Sequence, residues 1–306
     1  MAFRFRTYFR LLKESVTESI EDNVIKLSAS LAYYTVFSIG PLLLVIVSLT
    51  GLFFERETVT GTIFLQLQTL IGTEGATQIR DIINNIQHKD TAAKFSIIGI
   101  VVLLFGATSV FADIQDSINY IWSIRAKPKK SWVKFLTDRL LSFSLVVGIG
   151  FLLIVSLLIN TLTDVLTGRL QQIFEDTAVI FFQALNVIIL YVVISFLFAV
   201  IYRVLPDARI RWKDAFVGAC FTGVLFIIGK FLIGFYLGNS DISTTYGTAA
   251  SIIIILTWVY YTAVILYFGA EFTKVYALVE GGGIKPYKTA VFIIKKEAKE
   301  LEPTPS

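Results

Sequence analysis

The chain has 306 residues, 55% of them hydrophobic, and a mean hydropathy of +0.73. This composition is too apolar for a soluble globular domain, and the length is too great for a single membrane anchor. The one cysteine, Cys220, excludes an internal disulfide and a cysteine-based zinc cluster.

The first predicted element is an amphipathic helix within residues 1–28. We expect it to lie in the cytoplasmic interface, where it either fixes the tilt of the first span or has a regulatory role. No removable signal peptide is expected, because the segment lacks a continuous apolar run and a small-residue cleavage site. Apolar side chains recur there at helical spacing, with basic residues between them: Phe5, Tyr8, Phe9, Leu12, Val16 and Ile20.

Six apolar segments follow, each long enough to cross a bilayer. A hydrocarbon core of about 30 Å requires ~20 mostly apolar residues per helix. We therefore predict an all-α fold, a polytopic integral membrane protein with a six-transmembrane-helix bundle over residues 29–276. The predicted spans are 29–54, 95–120, 139–161, 178–202, 215–237 and 249–272.

The first span contains Gly40 and Pro41 near its centre. Proline removes a backbone hydrogen bond and clashes with the preceding turn, so a kink is expected. These two residues form a candidate conformational hinge, with a static bend as the alternative.

Two segments outside the spans carry further helical patterns. In the extracytoplasmic loop 55–94, apolar stripes predict two short amphipathic helices, which either cap a cavity, bind a partner or pack on the bundle. In the cytoplasmic tail 277–306, a short helix is predicted after the glycines at 281–283. Its apolar stripe comprises Tyr287, Val291, Ile294, Ala298 and Leu301.

The distribution of charge predicts the orientation. With both termini cytoplasmic, 21 of the 27 basic residues face the cytoplasm, five face the opposite side and Lys230 lies within a span. The positive-inside rule selects this arrangement. The net charge of +4 then reflects topology and anionic lipid rather than a nucleic-acid partner.

Lys230 is the most unusual residue of the predicted membrane region, because a charge in hydrocarbon requires a partner or a water-filled cavity. It lies about 17 residues beyond Lys213, past the midplane toward the outside. Asp113 in the second span is its most plausible partner by depth. The candidate substrate-binding residues are Lys230, Asp113, Asp116, Gln115, Asn119, Gln183 and Asn186.

Catalytic chemistry is not indicated. The only histidine is His88, and the sequence contains no metal-ligand spacing, Walker glycine loop or nucleophile elbow. We predict a protein that is not an enzyme, without catalytic residues, cofactor or metal site. Transport, if it occurs, would use an ion gradient, a potential or the gradient of the substrate.

Several short segments, taken in order, resemble the BrkB/YihY-like membrane proteins. They are ASLAYY at 29–34, SIGPLLL at 38–44, IQ at 114–115, NYIW at 119–122, LPD at 205–207, WKDA at 212–215, Lys230, YGT at 246–248 and GAE at 269–271. The resemblance implies a bacterial inner-membrane protein with six helices. It also implies links to envelope integrity and transport of lipid-like material, and an old ribonuclease BN label regarded as a misassignment. Asp113 lies outside the shared pattern.

These observations predict an inner-membrane transporter or flippase-like protein for an amphipathic or anionic envelope component. Its partners are membrane lipids and a lipid-like substrate, with no nucleic acid, and the oligomeric state is left open. The alternative is a non-transporting envelope scaffold or assembly factor that acts through the 55–94 loop. A ribonuclease is disfavoured, because the cytoplasmic loops offer only scattered acids.

Overall fold

The computed structural model describes residues 2–50, 97–127, 136–145, 177–238 and 250–294, with isolated positions between 60 and 80 and at 132, 133 and 148. These ranges are mostly helical, in agreement with the predicted fold class. The helices are α1 (Ala2–Glu21), α2 (Val24–Thr50), α3 (Ile97–Ile121), α4 (Thr177–Val204), α5 (Trp212–Gly238) and α6 (Ala250–Val279).

Three helices in the described ranges are long and apolar enough to cross a membrane. Their apolar stretches are Val187–Val204 in α4, Trp212–Tyr236 in α5 and Ile252–Val279 in α6. A shorter apolar stretch, Val24–Ile39, lies in α2. The predicted third span lies largely outside the described residues, and six spans with cytoplasmic termini remain a prediction.

Helix α6 is the centre of the bundle. It packs against each of the other five helices, while α2 pairs with α3 and α4 pairs with α5. In the described part of the chain α3 and α5 make no extensive contact, because α6 lies between them. Residues on α3 and α5 are therefore brought together only through α6 or the connecting segments.

Close approach of α6 to its neighbours depends on small residues. A Cβ added at Gly269 of α6 would lie 2.0 Å from Oγ1 of Thr222 on α5 and 2.4 Å from the hydroxyl of Tyr202 on α4. The Tyr202 hydroxyl contacts the Thr222 hydroxyl at 3.1 Å and donates to the carbonyl of Leu266 at 2.8 Å. These bonds satisfy polar groups that are fully buried, as an apolar interior requires.

The predicted N-terminal helix is present as α1, which ends at Glu21 and packs mainly on α6. Leu11 is fully buried against Phe272 and Val275 of α6. The apolar stripe predicted from the sequence instead points away from the protein; its exposed members are Tyr8, Phe9, Leu12, Val16 and Ile20. Such a face, with basic residues beside it, is typical of a helix in a membrane interface.

The described part of the tail forms strands, so the helix predicted there is wrong over residues 285–292. Strand β3 (Lys285–Pro286) pairs antiparallel with β2 (Ala208–Arg209), and β4 (Ala290–Phe292) pairs antiparallel with β1 (Ile124–Ala126). The run VFII at 291–294 is rich in β-branched and aromatic residues, which favour strands. Helical spacing over so short a segment could not distinguish the two structures.

The strands define one end of the bundle, which we call the basic end. The ends of α3, α4 and α6 and the start of α5 meet there, and the indole Nε1 of Trp122 donates to the carbonyl of Ala270 at 3.1 Å. Basic residues at this end, in the connecting segments and the adjoining helix termini, include Arg125, Lys127, Arg203, Arg209, Arg211 and Lys213. The positive-inside rule predicts that the end of the bundle with these basic residues faces the cytoplasm.

Candidate functional site

A cavity of about 460 Å³ opens at the basic end. It is bounded by the end of α3, residues 137–141, the α4–α5 connection and the tail. Its lining combines polar and charged side chains with apolar ones and comprises Gln115, Thr137, Asp138, Leu141, Arg203, Val204, Leu205, Pro206, Asp207, Trp212, Tyr287 and Thr289. We refer to it as the basic-end cavity.

Asp207 in the cavity wall is held by Asn119 through two hydrogen bonds. Nδ2 of Asn119 donates to Oδ2 of Asp207 at 3.0 Å, and Oδ1 of Asn119 accepts from the backbone N–H of Asp207 at 2.8 Å. Both residues are buried. This reciprocal pair fixes the α4–α5 connection to α3 and supplies the carboxylate with a fixed donor.

Gln115 lies one turn before Asn119 on the same buried side of α3. Its Nε2 donates to Oδ1 of Asp138 across 3.4 Å, a long and therefore weak hydrogen bond. Two of the four amides predicted as candidate binding residues, Gln115 and Asn119, thus contact the two carboxylates of the basic-end cavity. Each carboxylate has an amide donor from α3.

Arg203 supplies the positive charge of the cavity. Its guanidinium carbon lies 5.7 Å from the ring centroid of Trp212, and its buried Nε has no hydrogen-bond acceptor among the described residues. Within the same part of the chain, no carboxylate forms an ion pair with it. A buried guanidinium donor without an acceptor is costly, and an anionic ligand would satisfy it.

Lys230 lies far from this cavity. It is 18 residues after Trp212 on α5, which corresponds to ~27 Å along the helix. The lysine is half-buried, and its Nζ lies 5.9 Å from the ring centroid of Phe231. No carboxylate of the described residues forms an ion pair with it.

The suggested pairing of Lys230 with Asp113 is not present. Asp113, on α3, accepts a long hydrogen bond of 3.4 Å from the hydroxyl of Ser30 on α2. Since α6 separates α3 from α5, equal depth in the membrane does not bring the two side chains together. The sequence supplied the depth of each residue but not the order of the helices around α6.

The remaining candidates are dispersed. Asp116 is exposed on α3, whereas Gln115 and Asn119 are buried. Gln183 and Asn186 lie in α4, and Gly40 and Pro41 lie in α2, which continues as a helix to Thr50. The side chains of these last four residues lie outside the described part of the structure. Their binding and hinge roles remain predictions.

Arg203, Asp138, Asp207 and Tyr287 were not among the predicted site residues. Asp207 lies in the α4–α5 connection, Tyr287 lies in the tail, Arg203 lies at the end of α4, and Asp138 lies in the helical stretch 136–145. One signal was available: Asp207 follows a proline in a short connection and precedes the start of α5 by a few residues. A loop carboxylate so close to a membrane helix requires a fixed partner.

A second charged group lies where α1 meets α6. Glu271 forms an ion pair with Lys274 at 3.2 Å. Lys274 also contacts Glu18 and Asp22 from the α1 side. Among the residues that the structure describes, no group of three or more His, Cys, Asp or Glu side chains is placed to hold a metal ion.

Comparison with known proteins gives one family and several relatives. A protein-family model described as Virulence factor BrkB matches residues 15–291. A UPF0761 membrane protein of Tolumonas auensis is 27% identical over 270 residues, covering 82% of this chain and 80% of the relative. One from Psychromonas ingrahamii is 29% identical, covering 83% of each chain. One from Aliivibrio fischeri is 26% identical, covering 96% and 90%.

No solved structure matches the chain at a significant level. The matched region 15–291 includes the end of α1, all the described helices that follow it and the four strands except Phe292, the last residue of β4. Both the basic-end cavity and the charged group around Lys274 therefore lie within the matched region.

Proposed function

The chain belongs to the BrkB family of membrane proteins, and on that premise we propose that it is a transporter or flippase-like protein for an amphipathic envelope component with an anionic group. We further propose that it lies in the bacterial inner membrane with six spans and both termini in the cytoplasm. The distribution of 21 of 27 basic residues supports that orientation. The basic-end cavity would then face the cytoplasm.

Arg203 is the observation that carries the proposal. Its guanidinium lines a cavity large enough for a headgroup, and its Nε has no acceptor among the described residues. A guanidinium offers several N–H donors in a planar arrangement that suits phosphate or carboxylate. Asn119 and Gln115 donate to the two carboxylates of the cavity, and Arg203 is the one positively charged residue in its described lining and the group that would attract an anion.

Lys230 supports movement of that anion across the membrane. The ~27 Å of helix between Trp212 and Lys230 approaches the thickness of a hydrocarbon core, about 30 Å. Two basic side chains would thus lie near opposite surfaces of the membrane. Each could receive an anionic headgroup while the acyl chains remain in lipid.

Aromatic residues frame the cavity and suit an amphipathic ligand. Trp212 and Tyr287 line it together with Arg203, and Trp212 and Phe216 are exposed on α5 just beyond it. Tryptophan and tyrosine are favoured at membrane interfaces, where one part of a ring meets lipid and another meets polar groups. A ligand with a charged headgroup and an apolar body matches this arrangement.

Lipid retention by the purified full-length protein tests the proposal. Native mass spectrometry would compare wild type with Arg203→Gln, using Lys213→Gln as a control because Lys213 is an exposed basic residue at the same end. The membranes offered would contain phosphatidylglycerol, phosphatidylethanolamine and diacylglycerol. We expect retention of the two phosphate-bearing lipids by wild type and the control, and loss in Arg203→Gln. Equal retention of diacylglycerol, or no effect of Arg203→Gln, would contradict the proposal.

The scaffold alternative makes a different prediction. Deleting residues 57–90 would abolish function while leaving Arg203-dependent lipid retention intact. Most of this segment lies outside the described residues, and the described structure offers no specific observation in favour of the scaffold. Loss of function on deleting the loop, together with full function of an Arg203 variant, would support the scaffold alternative.

A further inference from the structure

Asp214 holds the segment that follows α6 against the start of α5. The residue is 1% exposed, and its Oδ2 accepts hydrogen bonds from the backbone N–H of Gly282 at 3.0 Å and from Nε of Arg211 at 3.1 Å. Nη2 of Arg211 also donates to Oδ1 at 3.3 Å. Because a buried carboxylate with several donors has a fixed position, Asp214 fixes the first residues of the tail relative to α5.

Glycines make this close approach possible. The N–H of Gly283 donates to the carbonyl of Ala277 at 2.8 Å, which caps the end of α6, and its φ of +74° is one that glycine adopts without strain. A Cβ added at Gly281 would lie 2.6 Å from Cα of Ala277 and 2.9 Å from Cγ of Asp214. The glycines at 281–283 therefore form a closely packed turn that brings the tail to Asp214.

Beyond this turn the tail crosses the basic end and is bound at two places. Strand β3 pairs with β2 in the α4–α5 connection, and β4 pairs with β1 after α3. Between the two strands, the N–H of Tyr287 donates to the carbonyl of Asp207 at 3.0 Å. Ile284 and Ala290 are buried in the main hydrophobic core. The tail thus joins two connections that are far apart in the sequence.

We refer to residues 282–290 as the strap. Its middle part lines the basic-end cavity, to which it contributes Tyr287 and Thr289. The guanidinium carbon of Arg209 lies 5.2 Å from the ring centroid of Tyr287, which fixes this ring against the α4–α5 connection. The strap is therefore one wall of the cavity.

The pairing of the strands alone would hold the strap only weakly. The two ladders contain two and three residue pairs, and short two-stranded ladders are marginally stable in water. The side chains of Lys285, Lys288 and Thr289 are exposed and add little buried area. The position of the strap therefore depends on its anchors, of which the Asp214–Gly282 bond is the first along the chain.

We propose that the strap closes one side of the basic-end cavity and that Asp214 is the positioning residue that holds it closed. Release of Gly282 from Asp214 would let the strap move away from the α4–α5 connection and would open the cavity to water at the basic end. The helices would keep their places, because they pack directly on one another. This inference concerns access to the cavity, so it goes beyond the proposed function and does not depend on it.

Cysteine labelling of the full-length protein in lipid nanodiscs tests the inference. In a Cys220→Ala background, Leu141→Cys places a reporter thiol in the lining of the cavity. Lys26→Cys places a control thiol at an exposed position of α2, outside that lining. The probe is a bulky sulfonated maleimide, whose rate of reaction measures access to each thiol. Each reporter is measured with and without Asp214→Ala.

We expect Asp214→Ala to raise the labelling rate of Leu141→Cys about tenfold, because it removes a hydrogen bond to a charged group. The labelling rate of Lys26→Cys should not change. Hydrogen exchange should become faster at residues 285–287 and remain slow within α5 and α6. These results together would show release of the strap from an intact bundle.

A second release variant covers the case in which Asp214→Ala does not fold. Tyr287→Pro removes the N–H that donates to Asp207, and Tyr287→Phe keeps it and is the matched control. The proline variant should label faster at Leu141→Cys, and the phenylalanine variant should label at the wild-type rate. Unchanged labelling of Leu141→Cys in Asp214→Ala and Tyr287→Pro would overturn the inference. An equal rise at Lys26→Cys would also overturn it, because it would indicate general loosening of the fold.

Discussion

Asn119 and Asp207 are 88 positions apart, and each donates a hydrogen bond to the other. The amide Nδ2 of Asn119 donates to the Asp207 carboxylate at 3.0 Å, and the backbone N–H of Asp207 donates to the Asn119 Oδ1 at 2.8 Å. This pair joins α3 to the α4–α5 connection. It also sets the position of a wall of the basic-end cavity.

Replacing Asn119 with alanine removes both bonds and leaves a buried carboxylate and a buried N–H with fewer partners. We expect a loss of about 1–3 kcal/mol of stability, the cost of unsatisfied buried groups. Thermal unfolding of the purified protein should show a lower midpoint for Asn119→Ala. The exposed Thr17, whose hydroxyl bonds only within α1, provides the control variant Thr17→Ala. An Asn119→Ala midpoint equal to that of the control would show that the pair contributes nothing.

Gly269 provides a prediction about the packing of α6. An alanine there would place a methyl group 2.0 Å from Thr222 and 2.4 Å from the Tyr202 hydroxyl, and one of these must move. We expect Gly269→Ala to destabilise the bundle by about 1–3 kcal/mol, as overpacking does. Gly234→Ala is the comparison, since an added Cβ meets nothing within 4 Å there. Its thermal midpoint should equal or slightly exceed that of wild type, because alanine favours helix.

Because β4 of the tail pairs with β1, we expect the tail to protect the backbone amides just after α3 from hydrogen exchange. Backbone bonds join Ile293 N–H to Ser123 and Lys127 N–H to Thr289, so the alternation of an antiparallel ladder places the N–H of Val291 in a bond to Arg125. Proline at 291 removes that donor. Hydrogen exchange should become faster at residues 124–126 in Val291→Pro and remain slow in Val291→Thr. Unchanged exchange in the proline variant would show that this pairing does not persist in solution.

Lys230 gives a prediction that follows from its separation from Asp113. Because no described carboxylate pairs with the lysine, Lys230→Ala leaves no orphaned negative charge and should fold as well as wild type. Under the proposed function it should lower transport of an anionic lipid, and Lys230→Arg should preserve it. A transport assay in proteoliposomes, with the thermal midpoint measured in parallel, separates loss of function from loss of fold. Transport at the wild-type rate by a well-folded Lys230→Ala protein would show that Lys230 takes no part in the proposed lipid transport.

Helix positions could be predicted from the sequence because hydrocarbon thickness imposes length on apolar segments. Five described helices, α2 to α6, lie within a few residues of the predicted bounds at most ends, though α2 begins at Val24 and α6 extends to Val279. Amphipathic spacing likewise identified α1. Hydrophobic periodicity does not predict the order of the helices around α6. The suggested Lys230–Asp113 pair was wrong for that reason.

The candidate site was predicted only in part. Gln115 and Asn119 were identified as polar residues of a predicted membrane helix, but their partners Asp138 and Asp207 lie 23 and 88 positions further along the chain. Such contacts form where the ends of several helices meet in the folded protein. Local sequence patterns contain no information about which helix ends meet. The strands at 285–292 were missed for a similar reason, since their hydrogen-bond partners lie more than 75 residues earlier.

Transbilayer movement of a fluorescent anionic phospholipid in proteoliposomes is the most direct test of the central claim. The assay would compare empty vesicles, wild type, Arg203→Gln and the control Lys213→Gln, each protein reconstituted at full length. We predict that wild type and Lys213→Gln accelerate movement over empty vesicles and that Arg203→Gln does not. Movement no faster with wild type than in empty vesicles, or equally fast with Arg203→Gln, would contradict the account.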